Sequence, residues 1–186
     1  MTTEWFETQS GLWTRLWQTL TQGVSDPAAA AHWPVMATVS AEGWPEARTV
    51  VLRGADETLL RISVHTDLFS DKIASLRANG RAAFHVWDAG QALQIRLQCD
   101  VEIQSGATTR ALWDSIPDHA QQSYGVTPPP GTPIADALSY QKKPDPASFA
   151  VLYCTVQQID LVHLGRQHRR VAFSRQRHWQ GQWLSP

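Results

Sequence analysis

Lysine is scarce in this sequence: Lys72, Lys142 and Lys143 stand against thirteen arginines, so each lysine invites the question of why arginine was not used. Cysteine is almost absent too. Cys99 and Cys154 lie far apart with no CxxC or histidine spacing, which points to buried thiols in a reducing cytosol and away from a disulfide framework or a metal site. His85, His119 and His163 likewise show no ligand spacing, so no metal is expected. No apolar run approaches a membrane span, and the N-terminus has no basic start leading into an apolar stretch; a soluble, unprocessed cytoplasmic protein is expected, without membrane contact. A formal net charge of −1 gives no bulk field to attract nucleic acid.

What is present suits one domain over residues 1–186, since 42% of the chain is hydrophobic and nothing divides it. Trp13, Leu16, Trp17 and Leu20 recur at helical spacing before Gly23, predicting an amphipathic helix within residues 1–23, from about Thr3 onward. Residues 35–40 read as a strand, with Ala41, Glu42, Gly43 and Trp44 turning into the next. Residues 81–88 and 92–104 form a strand pair around Ala89 and Gly90. Short helices follow at residues 108–115 and 119–124. Residues 126–133, VTPPPGTP, exclude regular structure through four prolines and form a loop that can border a pocket. Strands resume at residues 149–159 and at the alternating residues 170–174. The five arginines between Arg166 and Arg177 raise nucleic-acid binding as a rival, but that alternation favours a strand with one polar face.

The chemistry concentrates between residues 48 and 100. In RTVVLR, Arg48 and Arg53 bracket an apolar run, residues 49–52, whose β-branched content predicts a buried strand. In SVHTDLFSDK, residues 63–66 end a second strand. Ser70 is placed to N-cap a helix that runs through Lys72, Ile73, Leu76 and Asn79 to a stop at Gly80. Lys72 then sits in a first helical turn, where unpaired N–H groups and the helix dipole favour an anion. A solvated basic residue gains nothing from that position; Lys72 and Arg48 read either as ordinary surface charges at the ends of their elements or as the two cations of a phosphate site.

These motifs, with LQIRLQCD at residues 93–100, resemble the pyridoxamine 5'-phosphate oxidase-related split β-barrels, which bind flavin mononucleotide (FMN). The resemblance covers about residues 35–186. It implies a mainly β fold with flanking helices and a homodimer with FMN at its interface. It further implies that Arg48, Ser70 and Lys72 hold the FMN phosphate, while Thr49, Val50, Val51 and Arg53 of the strand motif and the pair His65 and Thr66 line the cofactor. Gln94 takes the place of the glutamine that bonds the pyrimidine edge of the ring. Gln141 and Lys142 stand for a pair that reaches the phosphate from the partner subunit. Arg170 stands for an arginine near the ring, and Arg166, His168 and Arg53 are candidates for substrate contact.

Some positions depart from the family pattern. The side chains that cradle the oxidase's substrate phosphate are replaced by Leu112, Ile116 and Ala120, none of which can bind a phosphate, and a tryptophan over the flavin is replaced by Val162. The resemblance therefore implies a flavoprotein oxidoreductase that takes a hydride from a small molecule. A true pyridoxamine or pyridoxine 5'-phosphate oxidase, and a non-enzymatic module binding flavin, deazaflavin or haem, stay open beside it.

Overall fold

The stripe of apolar residues does form a helix in the computed structural model of the protein, which describes residues 4–186. Helix α1 (Gln9–Ser25) buries Leu12, Leu16, Trp17 and Leu20, and Thr8 caps it by accepting from Gly11 N at 2.9 Å. Its bounds correct the sequence expectation. The chain before it is a 3₁₀ turn, Trp5–Glu7, and residues 1–3 lie outside the described residues. Gly23 does not stop the helix. It sits inside the last turn because Ala31 packs there, and a Cβ at Gly23 would lie 2.6 Å from the Ala31 carbonyl carbon.

Among the described residues, eleven strands and three more α-helices follow. They are β1 (Val35–Val39), β2 (Pro45–Thr49), β3 (Leu52–Asp56), β4 (Arg61–Asp67), α2 (Asp71–Ala78), β5 (Arg81–Asp88) and β6 (Leu93–Ser105). Then come α3 (Arg110–Ser115), α4 (Asp118–Gln121), β7 (Val126–Thr127), β8 (Gln141–Lys142), β9 (Phe149–His163), β10 (Arg169–Ser174) and β11 (Gln182–Leu184). The main sheet runs β11-β10-β9-β6-β5-β1-β2, every pair antiparallel, and β4 joins it by pairing with both β3 and β9. One edge of β9 pairs with β6 along nearly its whole length; the other is shared, first by β4 and then by β10. That sharing curls the sheet into a barrel.

The register explains the core. Met36, Phe84, Leu97, Ile159 and Phe173 face one another across five neighbouring strands and are all buried. Opposed residues share a face of the pleat, so this row is the barrel's inner lining. One end of the barrel is closed by the 3₁₀ turn, where the Phe6 ring stacks on His163 at 4.1 Å and Trp5 meets it edge-on. A bulge between Gln98 and Cys99 shifts the β6–β9 register. On β9, Phe149 and Val151 belong to a second cluster with Trp113 and Tyr124, packed by Leu112, Ile116 and Tyr153.

Three expectations are corrected here. Residues 49–52 are not one buried strand: β2 ends at Thr49, β3 begins at Leu52, and only Leu52 is buried. The chain must cross between β2, which pairs with β1, and β3, which pairs with β4, so Val50 N donates to Pro34 O instead of joining a ladder. Helix α2 ends at Ala78, before Gly80, with Asn79 extended as its cap. The proline-rich loop is not wholly irregular, because Val126 and Thr127 pair with Lys142 and Gln141 across its neck.

Candidate functional site

Arg48 continues the inner row of the barrel, opposite Met36, and so points at the start of α2. Its Nη1 lies 2.8 Å from Thr38 Oγ1 and 3.4 Å from the carbonyls of Met36 and Glu46; its Nη2 donates to Glu46 Oε2 at 3.0 Å. Nη1 is saturated while Nε has no partner among the described residues, which fixes the guanidinium and leaves an edge to donate. Lys72 faces the same space. Its Nζ donates to Thr66 Oγ1 at 3.0 Å and Ser70 Oγ at 3.1 Å, both buried hydroxyls. Burial lowers the lysine's pKa and Arg48 lowers it further, against a smaller opposing pull from Asp67 and Asp71. The ammonium is thus held by neutral oxygens, beside an arginine whose charge is shared with Glu46.

Ser70 is the residue before α2 but does not cap it. Its hydroxyl donates to the Asp67 carbonyl at 2.8 Å, so the first-turn N–H groups have no acceptor from that side chain. The acid in the same turn, Asp71, is exposed and lies against the proline-rich loop, where a Cβ on Gly131 would be 2.8 Å from its Oδ1. Asp67 is buried and employed as a brace: it accepts from Phe69 N and, across 58 residues of chain, from Gly125 N at 2.9 Å. Gly125 holds φ +101 with the Lys143 carbonyl where a Cβ would go, so no other residue fits.

A second cluster flanks the first. Arg53 is the bulged residue in the β3–β4 ladder, between the pairs Leu52 with Val64 and Gly54 with Ser63. A bulge re-aims its side chain, and here Arg53 lies beside both the Tyr124 hydroxyl and His65. Burial raises the tyrosine's pKa, and Arg53 opposes that. His65 meets Phe149 edge-on at 5.1 Å; burial, with Arg53 adding to it, lowers its pKa to about 4. The imidazole is therefore neutral at physiological pH. Between 6.5, where it titrates when free, and about 4, the unfolded chain binds the extra proton, so acid weakens the fold through that window. Melting temperature measured from pH 7 down to pH 4 is expected to fall more steeply in the parent protein than in His65→Gln.

The remaining candidates fall elsewhere. Gln94, Val162 and Arg170 face one another across β6, β9 and β10, one strand spacing apart, on the outer face of the sheet, opposite to the face carrying Arg48. Arg170 is held there by Asp160, through Nε at 3.1 Å and Nη2 at 2.8 Å, and Asp160 also takes Arg96 at 2.6 Å. Gln94 Oε1 lies 3.4 Å from His85 Nε2. Gln141 and Lys142 are exposed on β8, and Arg166 and His168 are exposed in the loop between β9 and β10. Within one chain the structure thus joins Arg48, Thr66, Ser70 and Lys72, and separately Arg53 and His65. It leaves Thr49 exposed and Val50 and Val51 half-buried at the crossing between β2 and β3. Sequence reasoning missed Glu46, which strand periodicity places on the face of Arg48, and Tyr124, which only the folded loop brings to Arg53.

An antiparallel barrel split between β2 and β3 is the architecture of flavin-binding split barrels. The family described as "Pyridoxamine 5'-phosphate oxidase, FMN-binding domain" matches residues 12–105, half of this chain, and the chain belongs to that family. Pyridoxine/pyridoxamine 5'-phosphate oxidase 2 of Arabidopsis thaliana is 30% identical over 164 residues, covering 75% of this chain and 76% of its own length. Among solved structures, a pyridoxamine 5'-phosphate oxidase-related FMN-binding protein of Nostoc punctiforme superposes with a TM-score of 0.77 at 24% identity, covering 93% of this chain and 96% of that one. PhzG of Burkholderia lata, in complex with tetrahydrophenazine-1-carboxylic acid, superposes at 0.74 with 16% identity, over 100% of this chain and 98% of its own. FMN is the cofactor of this family's domain. No helix among the described residues is long and apolar enough to cross a membrane.

Proposed function

We propose that the protein is an FMN-dependent oxidoreductase working as a homodimer, and that Lys72, Arg48, Thr66, Ser70 and the first turn of α2 hold the FMN phosphate. The observation that carries this is the Lys72 ammonium, half-buried against two hydroxyls and near a second basic side chain, Arg48. The donor set fits a phosphate: one ammonium, one guanidinium edge, the Thr66 hydroxyl and the N–H groups at the start of α2. Bound FMN supplies a ring that accepts a hydride from a small reduced substrate and passes the electrons on.

The chain's own part is to bind and orient that ring. Gln94 and Arg170 carry the donors suited to the ring's polar edge, but they lie on the opposite face of the sheet from Arg48. A second copy that lays its outer face across the mouth of the first completes one site from two chains, with Gln141 and Lys142 free on β8 to approach the partner's phosphate. Cytoplasmic action accords with two thiols that burial keeps protonated, Cys154 being pushed up to about 12. A true pyridoxamine 5'-phosphate oxidase is the second reading, favoured by the name of the Arabidopsis relative; turnover of pyridoxamine 5'-phosphate with release of peroxide distinguishes it.

The purified protein is expected to be yellow, to release FMN on denaturation, and to bind FMN at least a hundredfold more tightly than riboflavin, which lacks the phosphate. Equal affinity for the two, measured by quenching of flavin fluorescence, overturns the phosphate assignment.

A further inference from the structure

We propose that Asp160 sets the reduction potential of the bound flavin by holding Arg96 and Arg170 in one ion triad, so that the ring's polar edge meets a single net positive charge instead of two. The inference deepens the flavin reading and rests on it, since a second copy must lay the row of Gln94, Val162 and Arg170 against the ring.

The triad follows from the register. On β9, Asp160 lies two residues from Val162 on the same outer face, directly opposite Arg96 of β6 and diagonal to Arg170 of β10. Both arginines lean onto it. Arg170 closes a fork, Nε on Oδ1 at 3.1 Å and Nη2 on Oδ2 at 2.8 Å, and Arg96 Nη2 donates to the same Oδ2 at 2.6 Å. The fork fixes the plane of the Arg170 guanidinium and leaves Nη1 as its one nitrogen without a partner among the described residues. The Asp160 side chain is 13% exposed, against 31% for Arg170 and 45% for Arg96, so the carboxylate is the charge that water screens least.

Two cations and one anion leave one positive charge. The triad's neighbours on that face are His85, Gln98, Gln158 and Ala172, so Asp160 is the only acid in the patch. A reduced flavin carries negative charge at its polar edge that the oxidised ring lacks, so a change in the charge facing that edge weights the two forms differently. The phosphate contacts at Lys72 and Arg48 are the same in both forms. A purely mechanical role is poorly motivated, because β9 already pairs through its backbone with β6 and with β10 over this stretch.

The test measures the reduction potential of the FMN-loaded protein against a reference dye. Asp160→Asn keeps the shape and removes the anion, so it is expected to favour reduced over oxidised FMN by at least about tenfold more than the parent does, a rise of about 30 mV for a two-electron couple. Asp160→Glu keeps the charge and is expected to stay within about threefold of the parent. Arg96→Met and Arg170→Met each remove a cation and are expected to lower the potential. An Asp160→Asn protein that melts earlier but keeps the parent's potential overturns the proposal and leaves the triad a structural tie. Arg96→Met decides the matter without a folded Asp160→Asn protein, because a potential that does not fall overturns the proposal as well. A parent protein that takes up no FMN refutes the flavin reading itself, whereas bound flavin with an unmoved potential refutes only the role of Asp160.

Discussion

Replacing Lys72 and Arg48 together by alanine is expected to leave a folded protein that no longer retains FMN. Each residue offers the phosphate a charge-assisted contact of about 1.5–3 kcal/mol, so losing both weakens FMN by roughly 10²- to 10⁴-fold. Riboflavin affinity is expected to stay within about threefold, because neither side chain meets the ring under this assignment. The single variants are expected to differ. Lys72→Ala removes one cation and leaves the Thr66 and Ser70 hydroxyls. Arg48→Ala also frees the Glu46 carboxylate, whose Oε2 lies 3.3 Å from Ser75 Oγ, so it adds a repulsive charge to the pocket. Arg48→Ala is therefore the more damaging, and adding Glu46→Gln to it restores part of the loss. A double variant that binds FMN as tightly as the parent refutes the pocket.

Phe149→Ala is expected to have the largest effect on stability. The ring is fully buried and touches Trp113, Tyr124 and His65 at the junction of β9, β4 and the covering helix. Emptying such a site costs about 3–5 kcal/mol. For a domain of this size that lowers the melting temperature by roughly 6–20 °C, at about 2–4 °C per kcal/mol. Tryptophan fluorescence is expected to report an early loosening of Trp113 in the same variant. A shift below about 2 °C means that the second cluster does not pack as described.

Much of the barrel was legible because its signals are local. Trp17 and Leu20 repeat at helical spacing, and Ala89 with Gly90 interrupts two alternating strands. Lys72 stood out because a lone lysine in a first helical turn opposes the dipole unless an anion answers it. Residues 49–52 misled for a physical reason: β-branched side chains report an extended backbone, and an extended chain crossing between two strands looks the same as one paired on both sides. Long-range pairing hid the rest. Glu46 meets Arg48 and Ser75 only through the register of β1 with β2 and the docking of α2. Arg170 shares a row with Gln94 only because β9 lies between them, and no spacing in the sequence encodes that partnership.

The sharing of β9 also governs how the chain reaches its native state on the ribosome. Residues 149–163 hydrogen-bond to β4, β6 and β10, so the edge of β4 not taken by β3, and the distal half of β6, have no partner until β9 has been synthesised. Until then the apolar edges of β4 and β6 are open to other chains, in a topology whose contacts are far apart in sequence and slow to form. Nascent chains arrested before β9 emerges are expected to be protease-sensitive and to engage chaperones, and protection appears when that single strand clears the exit tunnel.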